Sequence, residues 1–358
     1  MCSRAESRGK ATNSTMDILL PFVLILAGFY VGWNIGANDA ANCIGTTVGA
    51  RIITYRQAVA VMAIFVILGG VLQGHHVMKT VGKGIVISEV TAFEEHNNKT
   101  AGAEFKAFFP DDRLPDKAIL VALLSAGFFV TLATFSSIPV STSQAIVGGV
   151  AGVGIGIVGM NAAYFKLGVL SKIFGAWVIS PVLTMILAFG FYMLLNRLLR
   201  NANGLVWSRV LGFAVVASAA YVSYSLGAND VGNAIGPLLS KYPDKGLYLA
   251  ILGGVAMAVG AFTFGARVTD TVGKSITSLD YTGALAAQLS AAFGVHVFSM
   301  MGIPVSTSQA VVGGVIGVGL TKGTRAVSLK KISTIFLGWI ITPVCAATFA
   351  ALVYRLFG

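Results

Sequence analysis

Residues 36–45 read GANDAANCIG, and they directly follow an apolar run at residues 18–33. A second copy, GANDVGNAIG, occupies residues 227–236 behind another apolar run. Each copy contains one carboxylate, Asp39 or Asp230, at a place where the interior of a membrane is expected. A charged side chain at the centre of a bilayer costs about 2.5–3.5 kcal/mol on insertion scales, so such residues usually have a function. Two copies in the same setting therefore indicate a paired site.

The composition indicates an integral membrane protein. Of 358 residues, 56% are hydrophobic and only 11% are charged, whereas soluble proteins carry about 25% charged residues. The apolar stretches are about 17–25 residues long and are often interrupted by Gly or Pro, which predicts membrane helices rather than a barrel. The net charge of +11 comes from basic residues scattered over short loops, so we expect no nucleic acid partner. The three Cys residues match no metal or redox spacing.

A second string is also duplicated. IPVSTSQAIVGG at residues 138–149 recurs as IPVSTSQAVVGG at residues 303–314, which is 165 residues later. Asp230 follows Asp39 by 191 residues, so the first half carries an insertion of 26 residues. The landmarks keep their order, and the two halves of the chain are therefore repeats.

The repeats predict the organisation of the chain. Each half has an odd number of membrane crossings, whether its STSQ string lies in two full spans or in one re-entrant hairpin, so the second half should be inverted relative to the first. We expect an all-α polytopic membrane protein with two inverted-topology repeats, broken or re-entrant helical hairpins and about 10–12 membrane helices. The positive-inside rule places the basic connector in the cytoplasm and both termini outside. The predicted segments are a polar N-terminal tail (1–17), the first repeat (18–196) with an acidic outer loop (86–117), the connector (197–209) and the second repeat (210–358).

The duplicated STSQ string has the features of a helix that begins inside the membrane. Pro139 and Pro304 lack a backbone N–H and therefore end or open a helix. Ser and Thr are favoured N-cap residues, and a helix N-terminus carries about +0.5 charge, which binds anions. Two such starts that face one point would suit a tetrahedral oxyanion. The candidate anion ligands are Ser141, Thr142, Ser143, Gln144, Ser306, Thr307, Ser308 and Gln309. The alternative is that these side chains only hydrogen-bond between helices.

The Asp segments are interpreted as cation sites. Asp and Asn at a spacing of three residues supply hard oxygen ligands on one helical face. No Lys or Arg lies within either STSQ string, so a bound cation would provide the counter-charge for an anion, which favours cotransport over anion exchange. We expect the Asp segments, like the STSQ strings, to break the membrane helices. The candidate cation ligands are Asp39, Asn42, Asp230, Asn233, Asn38, Asn229, Ser136 and Ser137. The alternative is that each Asp is a helix cap or part of a buried structural pair.

The duplicated GAND segments and PVSTSQ strings resemble the signature of the inorganic phosphate transporter (PiT) family, and the similarity runs over residues 18–356. The short connector is similar to that of the compact microbial members. The resemblance implies phosphate uptake driven by Na⁺ or H⁺, with inverted repeats and broken hairpin helices. Ala41 stands in the first segment where Gly232 stands in the second, so the two cation sites need not be equivalent.

We therefore expect a secondary active transporter of the plasma (inner) membrane that imports inorganic phosphate by symport with Na⁺ through alternating access. An H⁺-coupled version, a sulfate permease of the same architecture and a channel are the alternatives. The chain has no nucleophile–base constellation or cofactor fingerprint, so an enzyme is not expected, and no cofactor is expected besides Na⁺ as coupling ion. The expected partners are phosphate, Na⁺, the lipid bilayer and a further copy of the chain, most readily as a dimer. Lys83 and Lys274 match between the repeats and either guide anions or anchor the interface.

Overall fold

Nearly all of the chain that the structure describes is helical. The computed structural model describes residues 2–49, 51–135, 140–200, 204–273, 280–321, 323 and 329–357, and within these residues it contains no strand longer than a single bridge. The helices are α1 (Cys2–Gly49), α2 (Tyr55–Gln73), α3 (His75–Lys83), α4 (Val90–Asn97), α5 (Ala103–Phe108), α6 (Asp116–Phe135), α7 (Thr142–Val158), α8 (Leu167–Leu199), α9 (Gly204–Leu226), α10 (Gly232–Leu239), α11 (Gly246–Gly273), α12 (Tyr281–Met300), α13 (Thr307–Thr321) and α14 (Leu329–Phe357).

Ten apolar segments carry the membrane-spanning part of the described chain. Eight helical segments are long and apolar enough to cross a bilayer, and two shorter apolar helices, α7 and α13, accompany them. The prediction of an all-α polytopic membrane protein is confirmed, at the lower end of the expected number of helices. Many large apolar side chains on these segments are exposed, as expected for a surface that lies against lipid.

Helices α6 and α7 form a hairpin whose two outer ends lie at the same end of the helix bundle. The segment after α7 is held to the segment after α3, because the backbone N–H of Lys166 donates to the carbonyl of Ile85 at 3.1 Å. Lys166 also lies beside Pro243, which follows α10. Asp116 at the start of α6 is bonded to Lys241 in this same connection. The start of α6 and the end of α7 therefore lie at the same end of the bundle, as the re-entrant interpretation requires.

Close helix packing depends on a few glycines. A Cβ atom on Gly36 of α1 would lie 1.9 Å from the carbonyl oxygen of Met257 on α11. The contact recurs with the halves exchanged, because a Cβ on Gly227 would lie 2.1 Å from the carbonyl oxygen of Val66 on α2. Small residues of this kind let the backbones of membrane helices approach closely. The two halves thus pack against each other through equivalent contacts.

The Asp segments do not break the helices, and this expectation from the sequence was wrong. Helix α1 runs through residues 36–45 without interruption, and the second copy passes from α9 to α10 through one π-helical turn, Gly227–Val231. The two Asp side chains are hydrogen-bonded to hydroxyls of the STSQ strings, while the backbone of both segments is helical. The chain interruptions near the site lie instead just before α7 and α13.

The acidic loop, residues 86–117, packs on the end of the bundle. It contains α4 and α5, and its aromatic side chains Phe93, Phe105 and Phe109 surround Tyr164 after α7. The polar tail at residues 2–17 continues α1 as helix, and the connector between α8 and α9 includes residues 201–203, which lie outside the described residues.

Candidate functional site

The two STSQ strings begin helices inside the protein. The hydroxyl of Ser141 caps α7 by accepting a hydrogen bond from the backbone N–H of Gln144 at 3.3 Å. Ser306 accepts in the same way from the backbone N–H of Gln309 at 3.3 Å. All four side chains are buried. Both helices therefore point their positive N-terminal ends at the interior, where free backbone N–H groups are available to an anion.

Asp39 receives one hydroxyl from the first hairpin, α6–α7, and one from the second hairpin, which α12 and α13 form. Thr142 at the start of α7 donates to Oδ2 of Asp39 at 2.9 Å. Ser308 at the start of α13 donates to Oδ1 at 3.0 Å. Asn42, one helical turn further along α1, donates from Nδ2 to Oδ1 at 2.8 Å. The carboxylate of the first half is thus bound by both halves of the chain.

Asp230 is held by the mirror arrangement. Thr307 at the start of α13 donates to Oδ2 at 2.8 Å, and Ser143 of α7 donates to Oδ1 at 3.1 Å. Asn233 and Asn229 donate from Nδ2 to Oδ1 at 2.8 and 3.1 Å. Each hairpin therefore contacts both carboxylates, through the Thr to the Asp of its own half and through the following Ser to the Asp of the other half.

The asparagines that precede the two Asp residues differ in their partners. Asn229 donates from Nδ2 to the carbonyl of Val305 at 2.6 Å and accepts from the N–H of Val305 at 3.1 Å. Asn38 instead donates to the hydroxyl of Thr134 on α6 at 3.0 Å. The second site is thus tied to the backbone just before α13, and the first is tied to the helix before α7.

Both carboxylates are buried, and among the described residues they have no cationic partner. Asp39 is 1% exposed and Asp230 is 0% exposed. In the part of the chain that the structure describes, no Lys or Arg forms a salt bridge with either. An unpaired buried carboxylate is costly, so it needs either a proton or a bound cation.

Because the asparagine Nδ2 groups that contact the carboxylates cannot bind a cation, the donor set that each carboxylate site offers to a cation consists of oxygen atoms. It comprises the carboxylate, two hydroxyls and, in the second site, the Oδ1 atom of Asn233, which is buried and has no hydrogen-bond partner. The carbonyl of Val305 lies 2.6 Å from the hydroxyl of Ser143. Hard cations prefer such ligands, whereas transition metals prefer nitrogen and sulfur. The described residues contain no cluster of three His, Cys, Asp or Glu. The residues present therefore fit a small hard cation.

The two glutamines line a cavity whose lining includes neither carboxylate. Gln144 and Gln309 line a cavity of about 520 Å³ between α8 and α14, together with Trp177 and Trp339. The Oε1 atoms of both glutamines are buried and have no hydrogen-bond partner. The indole N–H of Trp177 donates to the carbonyl of Pro304, which precedes the second STSQ string, at 3.1 Å. Two carboxamide oxygens without hydrogen-bond partners thus lie beside the two helix starts.

Most of the residues that the sequence selects as ligands meet in one place. The exceptions are Asn38, which binds Thr134, the two glutamines, which line the cavity between α8 and α14, and Ser136 and Ser137, which lie outside the described residues. The sequence argument missed Gln288 of α12, whose amide donates to the carbonyl of Cys43 at 3.1 Å and accepts from Ser218 at 2.6 Å. The sequence pattern that could have indicated Gln288 is a single polar residue within an apolar run.

Comparisons with known proteins agree on one family. The model of a phosphate transporter family matches residues 35–350. The chain is 29% identical to a "Putative phosphate permease" of Thermococcus kodakarensis, over 95% of this chain and 99% of the relative. It is 28% identical to "Inorganic phosphate transporter 2-1, chloroplastic" of Arabidopsis thaliana, over 95% of this chain and 72% of that protein. Among solved structures it is similar to "The sodium-dependent phosphate transporter", with a TM-score of 0.80, 28% identity, and coverage of 94% of this chain and 98% of the other.

Proposed function

The chain belongs to the phosphate transporter family, and on this basis we propose that it imports inorganic phosphate by symport with Na⁺. It is a multi-pass membrane transporter and not an enzyme. The observation that carries the proposal is the pair of buried carboxylates, each bound by hydroxyls of both hairpins. The name of the solved structural relative, a sodium-dependent phosphate transporter, supports Na⁺ as the coupling ion. We assign the protein to the plasma (inner) membrane, with both termini outside; a homodimer stays a prediction.

Two Na⁺ ions are assigned to the two carboxylates. The first would be held by Asp39 with the hydroxyls of Thr142 and Ser308, and the second by Asp230 with those of Thr307 and Ser143. A hydroxyl that now donates to the carboxylate can turn its lone pairs toward a cation without moving its oxygen. Asn42 and Asn233 donate from Nδ2 to the two carboxylates, and the Oδ1 atom of Asn233, which has no hydrogen-bond partner, would be available to the second ion. Each Na⁺ would supply the counter-charge that the buried carboxylate lacks.

Phosphate is assigned to the space between the starts of α7 and α13. Four of the eight STSQ side chains predicted as anion ligands are hydrogen-bonded to the carboxylates, which supports their assignment to the cations rather than to phosphate. The remaining groups are the helix N-termini and the carboxamides of Gln144 and Gln309, whose Oε1 atoms lack partners. A protonated phosphate can donate to such an oxygen and sulfate cannot, so the glutamines would favour phosphate.

We infer that the two halves are inverted. Residues further along α1 contact residues further along α11. The contacts are Gly32 with Gly253, Gly36 with Met257, and Ala40 with Gly265. These helices are therefore parallel. Helix α11 follows α10 after a short turn, which makes it antiparallel to α9–α10. Helix α1 then runs opposite to α9, its counterpart in the other repeat. Inverted repeats around a midplane site support alternating access, in which the hairpins move to expose the site on either side.

The test is uptake of radiolabelled phosphate into proteoliposomes that contain the purified protein. An inward Na⁺ gradient should drive accumulation, and replacement of Na⁺ by choline should abolish it. Two Na⁺ with one H₂PO₄⁻ carry one net positive charge, so an interior-negative potential should add about 2.3 kcal/mol of driving force per 100 mV. Accumulation that follows a proton gradient in choline would assign the buried carboxylates to protons instead. No gradient-driven uptake under either condition would refute symport.

A further inference from the structure

Three lysines surround a cavity that the proposed function does not use. The cavity has a volume of about 400 Å³ and lies where the end of α3, the start of α8 and the connection after α10 meet. We call it the lysine pocket. Its lining residues are Lys79, Thr80, Lys83, Gly84, Lys166, Leu239 and Pro243.

The lysine pocket carries an excess of positive charge. Lys83 forms a salt bridge with Glu89 at 2.6 Å. The ammonium group of Lys166 donates to the backbone carbonyl of Lys83 at 3.3 Å, which holds it at the pocket. Among the described residues, no carboxylate forms a salt bridge with Lys79 or Lys166. Three cations thus face one carboxylate, and a concave surface of one sign concentrates ions of the other.

The lysine pocket adjoins the tip of the second hairpin. Gly302, between α12 and α13, has a φ of +70°, and a Cβ atom there would lie 3.3 Å from the hydroxyl oxygen of Thr80, which lines the pocket. The opposite side of α3 packs on α10, because a Cβ on Gly232 would lie 2.8 Å from the backbone nitrogen of Met78. Helix α3 therefore connects the pocket both to the hairpin tip and to the helix that follows Asp230.

We propose that the lysine pocket binds a phosphate group beside the tip of the second hairpin. Ammonium groups and the Thr80 hydroxyl are the donors that such a tetrahedral anion needs. The group belongs either to free inorganic phosphate on its way to the central site or to an anionic lipid headgroup. Its effect on uptake rests on the proposed function, whereas binding itself does not.

The test compares two double variants that remove the same charge. Lys79→Gln with Lys166→Gln empties the pocket of its unpaired lysines and leaves the Lys83–Glu89 pair in place. Lys99→Gln with Lys106→Gln removes two exposed lysines of the acidic loop and serves as the control. Size-exclusion chromatography and thermal unfolding establish that both variants fold. Lys79→Arg with Lys166→Arg keeps the charge and should restore the wild-type behaviour.

Two arms identify the source of the phosphate group. In phosphatidylcholine proteoliposomes, free phosphate as the ligand predicts a KM for phosphate raised roughly 10-fold in the pocket variant, with an unchanged maximal rate. The difference should shrink when choline chloride is added, because salt screens the charges. In the second arm, a lipid headgroup as the ligand predicts that added phosphatidylglycerol raises the unfolding temperature of the wild type and of the control but not of the pocket variant.

Each of the two measurements leads to one conclusion. A raised KM in the pocket variant assigns free phosphate to the lysine pocket, and the loss of the phosphatidylglycerol effect assigns a lipid headgroup to it. If neither the KM nor the phosphatidylglycerol effect depends on the two lysines, the proposal is overturned. A wild-type protein without gradient-driven uptake would refute the proposed symport, and the lipid arm together with equilibrium binding of radiolabelled phosphate to both variants would still test the pocket.

Discussion

Replacing Thr142 by Val separates the cation role of the hairpin hydroxyls from an anion role. The hydroxyl of Thr142 lies 2.9 Å from Oδ2 of Asp39, and both side chains are buried. Valine keeps the shape and removes the oxygen. A hydrogen bond to a charged group contributes about 1.5–3 kcal/mol, and we take a similar value for the oxygen as a cation ligand. This energy corresponds to a loss of roughly 10- to 150-fold in the affinity for Na⁺.

The assay is phosphate uptake into proteoliposomes, measured first against external Na⁺ at saturating phosphate and then against phosphate at saturating Na⁺. The Thr142→Val variant should need more Na⁺ for half-maximal uptake, while its KM for phosphate stays unchanged. Thr307→Val should behave alike, since Thr307 bonds Asp230 in the mirror position. Thr342→Val is the matched control: its buried hydroxyl donates at 2.7 Å only to the carbonyl of Gly338 in its own helix.

The opposite result would refute the reasoning. If Thr142→Val raises the KM for phosphate and leaves the Na⁺ dependence unchanged, the hydroxyl faces the anion, as the sequence alone suggests. The cation sites would then have to be reassigned.

Three further variants test other features. Asp230→Asn should abolish Na⁺-driven uptake while the protein still elutes as a folded species, and a wild-type rate would contradict the cation role. Gly36→Ala should lower the unfolding temperature by an amount equivalent to about 1–3 kcal/mol, because its Cβ would lie 1.9 Å from a carbonyl of α11, whereas Gly175→Ala, with nothing within 4 Å, should not. Lys241→Gln removes the partner of Asp116 that comes from the other half of the chain and leaves Arg113 as its remaining partner. The loss should cost about 1–2 kcal/mol in thermal unfolding, between the values for exposed and buried pairs; an unchanged unfolding temperature would show that this pair does not join the halves.

The paired site was predictable because burying its charged and polar residues within apolar membrane segments costs free energy. A carboxylate within an apolar run needs a partner, and the duplication of both Asp and STSQ predicts that the partners come in pairs. The composition likewise predicts membrane helices, as the eight long apolar helical segments in the described residues confirm. These inferences need only local sequence and the properties of the bilayer.

The partners themselves were not predictable. Ser308 lies 269 residues from Asp39 in sequence, and only the packing of the second hairpin against α1 brings them together. The equivalence of the repeats also fails at one pair: Asn38 bonds Thr134, while Ser299, the counterpart of Thr134, bonds a carbonyl of its own helix. Helix α1 continues through Asp39, whose side chain is bonded by hydroxyls of both hairpins, and the local sequence reveals neither feature.

The exchange of hydroxyls between the halves has a consequence for leakage. Withdrawal of either hairpin removes one oxygen from both carboxylates at the same moment, because each hairpin serves Asp39 and Asp230 alike. Two ions held in this way would be released together rather than one by one. A carrier that cannot release a single ion loses little of the gradient in uncoupled cycles, so the ratio of ions to solute is set by which half of the chain supplies each oxygen.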